Sequence, residues 1–214
     1  MPSSIRWRTL EKEIERLRTH FLPKVFSPIG VYPNSIRIQA HTRAFLVLSH
    51  AEIESYLEDW AKEIARKTED LWILRGKLTE PLVFLVAAIG KPLGVPTNIS
   101  DPGVKDVRAR YEDASLKHLP EFYSIIAENN GIKEHNVAQL FGPLGVPTAA
   151  FSADLLMKLD ALGKRRGTHA HRSAKAAAVI HVLDPKTEYD FIVELLKSLN
   201  SFDAWLVNYK RSIR

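Results

Sequence analysis

The sequence contains no cysteine among its 214 residues. The chain can therefore form no disulfide, no thiolate metal site and no thiol nucleophile, and nothing indicates an oxidising compartment. It also lacks a long apolar run, because the longest one, at residues 81–90, is about half of the roughly 20 residues that cross a bilayer. The charged N-terminus has no apolar signal core. We therefore expect a cytoplasmic protein without a membrane span.

The charge and length of the chain indicate the kind of partner it favours and the number of domains it forms. Thirty Lys and Arg against 25 Asp and Glu leave a formal net charge of +5, which mildly favours an anionic partner. A hydrophobic content of 45% is enough for one sizeable core. We expect a single domain over 1–214, in which 1–38 form an N-terminal helix and loop and 39–214 form the core bundle.

The apolar residues recur with helical spacing along most of the chain, and strand patterns are nearly absent. The sequence predicts an all-α fold, an antiparallel bundle of about five or six helices. Pro23 should end the first helix, and a long helix should run from about residue 40 to 74. We also predict a helix break at Pro120. The segment 176–183 fits either a helix or an extended strand.

Several helices show a single apolar stripe or a clear start. Ser152 is a predicted N-cap, and Asp184 followed by Pro185 predicts the start of the last helix. The stripe of the long helix consists of Leu46, Ile53, Leu57, Trp60 and Ile64. The stripe of the last helix consists of Ile192, Leu195, Leu199, Phe202 and Leu206.

The densest positive stretch of the chain surrounds its only closely paired histidines. Such cations suit phosphate chemistry, because arginine can bind a phosphate with two parallel hydrogen bonds and histidine can transfer a proton near neutral pH. No metal or other cofactor is required for that chemistry. The stretch contains Lys164, Arg165, Arg166, His169, His171, Arg172 and Lys175.

Helical register distinguishes the two adjacent arginines. Arg166 continues the stripe of Leu155, Leu159 and Leu162, whereas Arg165 lies about 100° around the helix and should meet solvent. A cation that extends an apolar stripe is costly unless it lines a pocket or finds a partner. Arg166 is therefore the stronger candidate for a site residue.

Arg166 and His171 would lie about 140° apart on an unbroken helix. Glycine at position 167 offers one solution, because it can end or kink the helix and turn both side chains toward one phosphate. A site shared between two chains is the other. The sequence leaves both open.

A second polar cluster lies on the flank of the long helix, where Arg43, His50 and Glu54 border the apolar stripe. His50 and Glu54 are four residues apart and can interact on the helix surface. The simpler interpretation, which we favour from the sequence, is an ordinary solvated border. The functional interpretation makes His50 and Glu54 auxiliary residues in a wall of the site.

Simpler interpretations also exist for the basic stretch. Lysine and arginine are favoured in the last turn of any helix because they complement its dipole, and the two histidines can lie on a surface loop. A His-x-His pair also occurs in zinc sites, but here no cysteine or HExxH pattern accompanies it. We predict no metal.

Several segments together resemble the HEPN superfamily and, within it, the RiboL-PSP-HEPN group of helical nucleases. The resemblance rests on the Arg-x4-His motif in RGTHAH at 166–171, which follows the leucine-bearing segment LLMKLDAL. AFLVLSHAEIESYLEDWA at 44–61 is similar to the opening helix of the group, and NNGIKEHNVAQLFGPLGVP at 129–147 to its middle segment. The similarity covers about residues 40–175. Gly167 departs from the polar residue that many members carry after the arginine.

The resemblance implies metal-independent cleavage of RNA by the ribose 2′-hydroxyl. It implies that Arg166 and His171 are catalytic, and that flanking phosphates are held by Lys164, Arg165, His169 and Arg172. Members commonly form homodimers and act as prokaryotic toxins or antiphage effectors, some of them restrained by an antitoxin or other partner protein. The alternatives are a non-catalytic HEPN module that binds RNA or nucleotide or serves as an interaction scaffold, and a generic helical bundle.

Overall fold

A computed structural model describes residues 4–90, 107–170 and 182–214, with side chains at 4–90, 115–167 and 182–214. The described residues form seven α-helices and two short 3-10 helices, at Gly142–Leu144 and Thr148–Ala150. The prediction of an all-α fold is confirmed. The α-helices are α1 (Ile5–Phe21), α2 (Ser35–Arg75), α3 (Glu80–Ile89), α4 (Val107–Ala127), α5 (Glu134–Phe141), α6 (Ala153–Ala170) and α7 (Pro185–Ser212).

The described ranges contain seven α-helices where about five or six were expected. One detail of the predicted helices is wrong, because α4 contains Pro120 instead of breaking there. Proline removes one backbone hydrogen bond, but Leu119 and Phe122 beside it are buried, and their packing holds the helix together. The uncertain segment 176–183 lies outside the described residues apart from its last two.

The predicted helix starts and stripes are confirmed. The Ser152 hydroxyl accepts a hydrogen bond from the Leu155 N–H at 3.1 Å, and Asp184 Oδ2 accepts one from the Thr187 N–H at 2.9 Å. The first helix ends at Phe21, before Pro23. Every residue of the two predicted stripes is buried: Leu46, Ile53, Leu57, Trp60 and Ile64 on α2, and Ile192, Leu195, Leu199, Phe202 and Leu206 on α7.

The chain divides into two compact units, each assembled from separate segments. The first unit comprises Met1–Leu57, Gly131–Glu134 and Ala149–Val207. The second comprises Glu58–Asn130, His135–Thr148 and Asn208–Arg214. The single domain expected over 1–214, with its division at residue 38, stays a prediction. No helix in the described ranges has both the length and the apolar composition needed to cross a membrane.

The first unit is organised around a buried carboxylate on α7. Asp203 accepts hydrogen bonds from the Ser4 N–H at 3.1 Å, the Ser4 hydroxyl at 2.6 Å and the Tyr56 hydroxyl at 2.8 Å. Ser4 also caps α1, because its hydroxyl accepts from the Trp7 N–H at 2.9 Å. Asp203 therefore joins the start of α1 to the middle of α2.

The second unit contains α3, α4 and α5. Phe84 of α3 packs under Gly145, where a Cβ would lie only 2.4 Å from the Phe84 ring. Gly145 has a φ of 73°, a left-handed conformation that glycine adopts without strain. The Tyr209 hydroxyl donates to the Leu144 carbonyl at 2.7 Å. These contacts hold the 3-10 turn after α5.

We expect Asp203→Ala to lower the free energy of unfolding by about 1–3 kcal/mol, because three donors, two from Ser4 and one from Tyr56, lose their acceptor. Asp190→Ala is the matched control on the same helix, since Asp190 is exposed and pairs only locally with Lys186. The control should change stability by less than about 0.5 kcal/mol. Chemical denaturation measures both variants. Equal effects would contradict the proposed role of Asp203.

Candidate active site

The described part of the segment that carries the predicted site lies on α6 of the first unit. Leu155, Leu159 and Leu162 are buried, with at most 1% of each residue exposed. Arg166 continues their stripe by one further turn and is half-buried, as its register predicted. The apolar stripe thus ends in a cation that is partly removed from water. Such a group needs polar surroundings or a ligand to offset its desolvation.

The helix end that glycine could have produced at position 167 is not present, because α6 continues through Ala170. Gly167 does not adopt a positive φ, and a Cβ added to it would meet nothing within 4 Å. Glycine costs a helix about 1 kcal/mol relative to alanine, a cost that the packed leucine stripe outweighs. A helix end at Gly167 therefore does not explain how Arg166 and His171 could reach one phosphate.

Arg165 also differs from its prediction, since its guanidinium is not directed freely into solvent. It forms an ion pair with Glu188 of α7, and its guanidinium carbon lies 3.9 Å from the centre of the Phe191 ring. Glu188 is buried, and burial raises the pKa of its carboxyl although the charge of Arg165 acts in the opposite direction. Arg165 therefore attaches α6 to α7 within the first unit.

His50 of α2 is buried, with 3% of the residue exposed, so the solvated border favoured from the sequence is wrong for this residue. Its Nδ1 lies 3.6 Å from Glu54 Oε2, a separation too long for a good hydrogen bond. Burial, and next the positive charge of Arg166, lower the pKa of His50 to about 4. His50 is therefore neutral at pH 7, and Arg166 acts on it directly.

Arg43 extends this polar cluster and had no assigned role in the sequence interpretation. It precedes His50 by seven residues, two helical turns, and so lies on the same face of α2. Its Nε and Nη2 atoms are buried and have no hydrogen-bond partner among the described residues. Buried guanidinium donors without acceptors are costly. The helical spacing places Arg43 on the same face as His50, but the sequence does not show that its guanidinium nitrogens are buried.

The structure brings some predicted site residues together and leaves others untested. Arg166 and His50 are electrostatically coupled, and Glu54 adjoins His50. Lys164 is exposed on α6. The side chain of His169, and His171 and Arg172 entirely, lie outside the described residues. The arrangement of His171 relative to Arg166 stays a prediction.

The described cluster has a definite chemical character. It presents guanidinium donors on a partly buried face next to an imidazole that carries no charge at neutral pH. Guanidinium groups bind phosphate oxygens through paired, charge-assisted hydrogen bonds. A neutral imidazole can donate from one nitrogen and accept at the other. In the described ranges, no group of three or more acidic or histidine side chains is arranged to hold a metal ion.

Gly167→Ala tests the continuous helix. Because α6 is regular there and the added methyl group meets open space, we expect a gain of about 0.5–1 kcal/mol in the free energy of unfolding. Gly163→Ala is the comparison, since its Cβ would lie 2.9 Å from Lys133 Cγ and displace that side chain. It should gain less or lose stability. Clear destabilisation by Gly167→Ala would instead indicate a kink at that residue.

Comparison with known families agrees with this helical arrangement. The family model described as RiboL-PSP-HEPN matches residues 8–202, which is nearly the whole chain. No curated protein and no solved structure matches. Because the family model spans well over half of the sequence, the chain belongs to the RiboL-PSP-HEPN family.

Proposed function

We propose that this protein is a metal-independent endoribonuclease whose site is built around Arg166 and His171. The observation that carries the proposal is the half-buried Arg166 at the end of an apolar stripe, electrostatically coupled to the buried His50. A purely structural cation would be expected in an ion pair, as Arg165 is with Glu188. Membership of a HEPN family supports the same site.

The proposed reaction is an internal transesterification of RNA. The ribose 2′-oxygen forms a bond to the adjacent phosphorus, and the bond from phosphorus to the 5′-oxygen breaks. The products are a 2′,3′-cyclic phosphate and a 5′-hydroxyl, and the proton lost by the 2′-hydroxyl is balanced by one gained by the 5′-oxygen. His171 carries a proton as acid or base, and Arg166 stabilises the negative charge that develops on the phosphate.

His50, Glu54 and Arg43 form the proposed auxiliary set on α2. His50 is neutral at pH 7 because its pKa is about 4, so it is suited to hydrogen bonding and not to serving as a charged acid. In this arrangement His50 positions the guanidinium of Arg166, with Glu54 beside it. Arg43, two helical turns before His50, adds positive charge to this flank of α2.

The remaining basic residues are proposed to hold the flanking phosphates. Lys164, His169 and Arg172 fit that role as they did in the sequence interpretation. Arg165 is proposed to act mainly by anchoring α6, since its guanidinium already contacts Glu188 and Phe191. Its substitution should therefore affect folding as well as RNA binding.

The biological setting is proposed from the family alone. We infer a homodimer in which two motifs face one cleft, and a cytoplasmic role as a prokaryotic toxin or antiphage effector restrained by a partner protein. A shared cleft would also answer the spacing problem, because Arg166 of one chain could act with His171 of another. This second explanation does not require the helix to end at Gly167.

Arg166→Ala and His171→Ala should each lower RNA cleavage by about 100-fold or more, because each removes a group that acts in the transition state. Cleavage is measured on a labelled RNA with EDTA present, and on the same sequence as DNA, which lacks the attacking hydroxyl. Arg16→Ala is the control, because Arg16 is exposed on α1 and forms an ion pair with Glu13 of the same helix. The control should cleave like the wild type.

The same two variants distinguish a site within one chain from a shared site. If Arg166 and His171 come from different chains, mixing the inactive variants should restore about a quarter of wild-type cleavage, through mixed dimers with one intact site. If both act within one chain, mixing restores nothing. Wild-type protein that leaves RNA intact would favour the non-catalytic binding module, and loss of cleavage in EDTA would contradict the metal-free mechanism.

A further inference from the structure

A cavity in the second unit has a concentration of positive charge that the proposed ribonuclease site does not use. It lies at the C-terminal ends of α2 and α7 and has a volume of about 600 Å³. Asp70 is the acidic side chain that lines it. The basic residues that line it are Lys67, Arg75, Lys77, Arg211 and Arg214.

Most of these cations are not neutralised by the protein. Arg75, Lys77, Arg211 and Arg214 form no ion pair and no side-chain hydrogen bond within the described ranges. Lys67 is the exception, since its ammonium group donates to the main-chain carbonyl of Lys210. That bond satisfies one donor but leaves the positive charge uncompensated.

The electrostatic environment of Lys67 agrees with an excess of positive charge. Burial, followed by the charges of Lys210 and Arg214, lowers the pKa of Lys67. Lys210 itself pairs with Glu63, yet still acts on Lys67. A phosphate in the cavity would oppose this depression, because a nearby anion favours the charged form of lysine.

Helix dipoles explain only part of the cluster. Basic residues in the last turn of a helix are favoured, and Arg75 and Arg211 occupy such positions on α2 and α7. The dipole effect falls off within that last turn. Lys67 lies eight residues before the end of α2, and Lys77 and Arg214 lie beyond the helix ends. The dipole effect therefore accounts most directly for two of the five cations.

The cavity also offers apolar surface. Leu71 and Leu74 of α2 line it together with Ile213, and Leu74 is 77% exposed. Apolar walls with a few convergent charged groups are typical of small-molecule sites, whose volumes are roughly 300–1,000 Å³. A ligand that combines several phosphates with a flat, partly apolar base would match both features.

We propose that this basic cavity is a second, non-catalytic binding site for nucleotide phosphates. Two or more phosphates are needed to engage cations spread around its rim. Their source is either a free nucleoside diphosphate or triphosphate, or consecutive phosphates of a single-stranded nucleic acid. Both would bind in the same way. Their phosphate oxygens would accept hydrogen bonds from guanidinium and ammonium groups, and a base would pack against Leu71, Leu74 and Ile213.

The test measures binding to the full-length protein by calorimetry, with pyrophosphate, ADP and a 12-nucleotide single-stranded DNA as probes. DNA is used because it lacks the 2′-hydroxyl and would not be consumed by the proposed ribonuclease. The variant Arg75→Ala/Lys77→Ala/Arg211→Ala should weaken binding by about tenfold or more and reduce its salt dependence. Arg75→Lys/Arg211→Lys should retain most of the binding, since the charges are kept.

The control Lys62→Ala/Lys186→Ala/Lys197→Ala removes the same charge from exposed lysines that have local ion-pair partners. It should bind within about twofold of the wild type. Tight binding of ADP with weak binding of DNA assigns the site to a free nucleotide, and the reverse assigns it to a strand. The proposal is overturned if no probe binds below about 1 mM, or if the control loses as much affinity as the triple variant.

The binding test is also separable from the ribonuclease proposal. The Arg166→Ala variant, inactive if that proposal is right, should bind ADP or DNA in this cavity as the wild type does. Loss of cleavage with retained binding supports both sites independently. If the wild type binds ADP or DNA in this cavity but does not cleave RNA, the ribonuclease proposal is wrong and the proposal of a nucleotide site stands.

Discussion

Removing a guanidinium from water is expensive, and the proposed active site depends on how the fold compensates for that cost at Arg166. The leucines of α6 fix the orientation of the helix, and Arg166 follows them onto the same face. Burial, and next the positive charge of Arg166, lower the pKa of His50 to about 4, so the imidazole is uncharged at neutral pH while the guanidinium keeps its charge.

The same physical constraint distinguishes two neighbouring arginines. Arg165 is neutralised by Glu188 and covered by Phe191, which makes it a link between α6 and α7. The charge of Arg166 acts on His50, which carries no charge at neutral pH, and Arg43 on α2 has buried donors with no acceptor among the described residues. Arg165 thus links two helices, whereas Arg166 is the arginine that the proposed function assigns to the phosphate.

The sequence predicted features that depend on local spacing. The apolar stripes of α2 and α7 and the caps at Ser152 and Asp184 follow from helical period and backbone hydrogen bonding, and all were confirmed. The predictions from the sequence were wrong where side-chain packing outweighs the conformational preference of a single residue. Gly167 and Pro120 favour helix ends, yet burial of neighbouring side chains carries α6 and α4 through them.

The environment of individual polar residues was harder to predict, because it depends on distant segments. Arg165 meets Glu188, which lies 23 residues later in the chain, and a helical wheel of α6 alone cannot show that partner. His50 was assigned to a solvated border since its position on α2 gives no information about what covers it. The basic cavity was also missed, because its cations come from separate segments of the sequence.

The charge of Arg166 acts on the buried, neutral His50, and an NMR titration of the His50 imidazole measures this interaction. We expect a pKa of about 4 in the wild type, a higher pKa in Arg166→Ala, and a pKa near the wild-type value in Arg166→Lys. Lys164→Ala, which removes an exposed charge two residues away, should leave the pKa of His50 unchanged. An ordinary histidine pKa of about 6.5 in the wild type, or no rise in Arg166→Ala, would show that Arg166 does not act on a neutral His50.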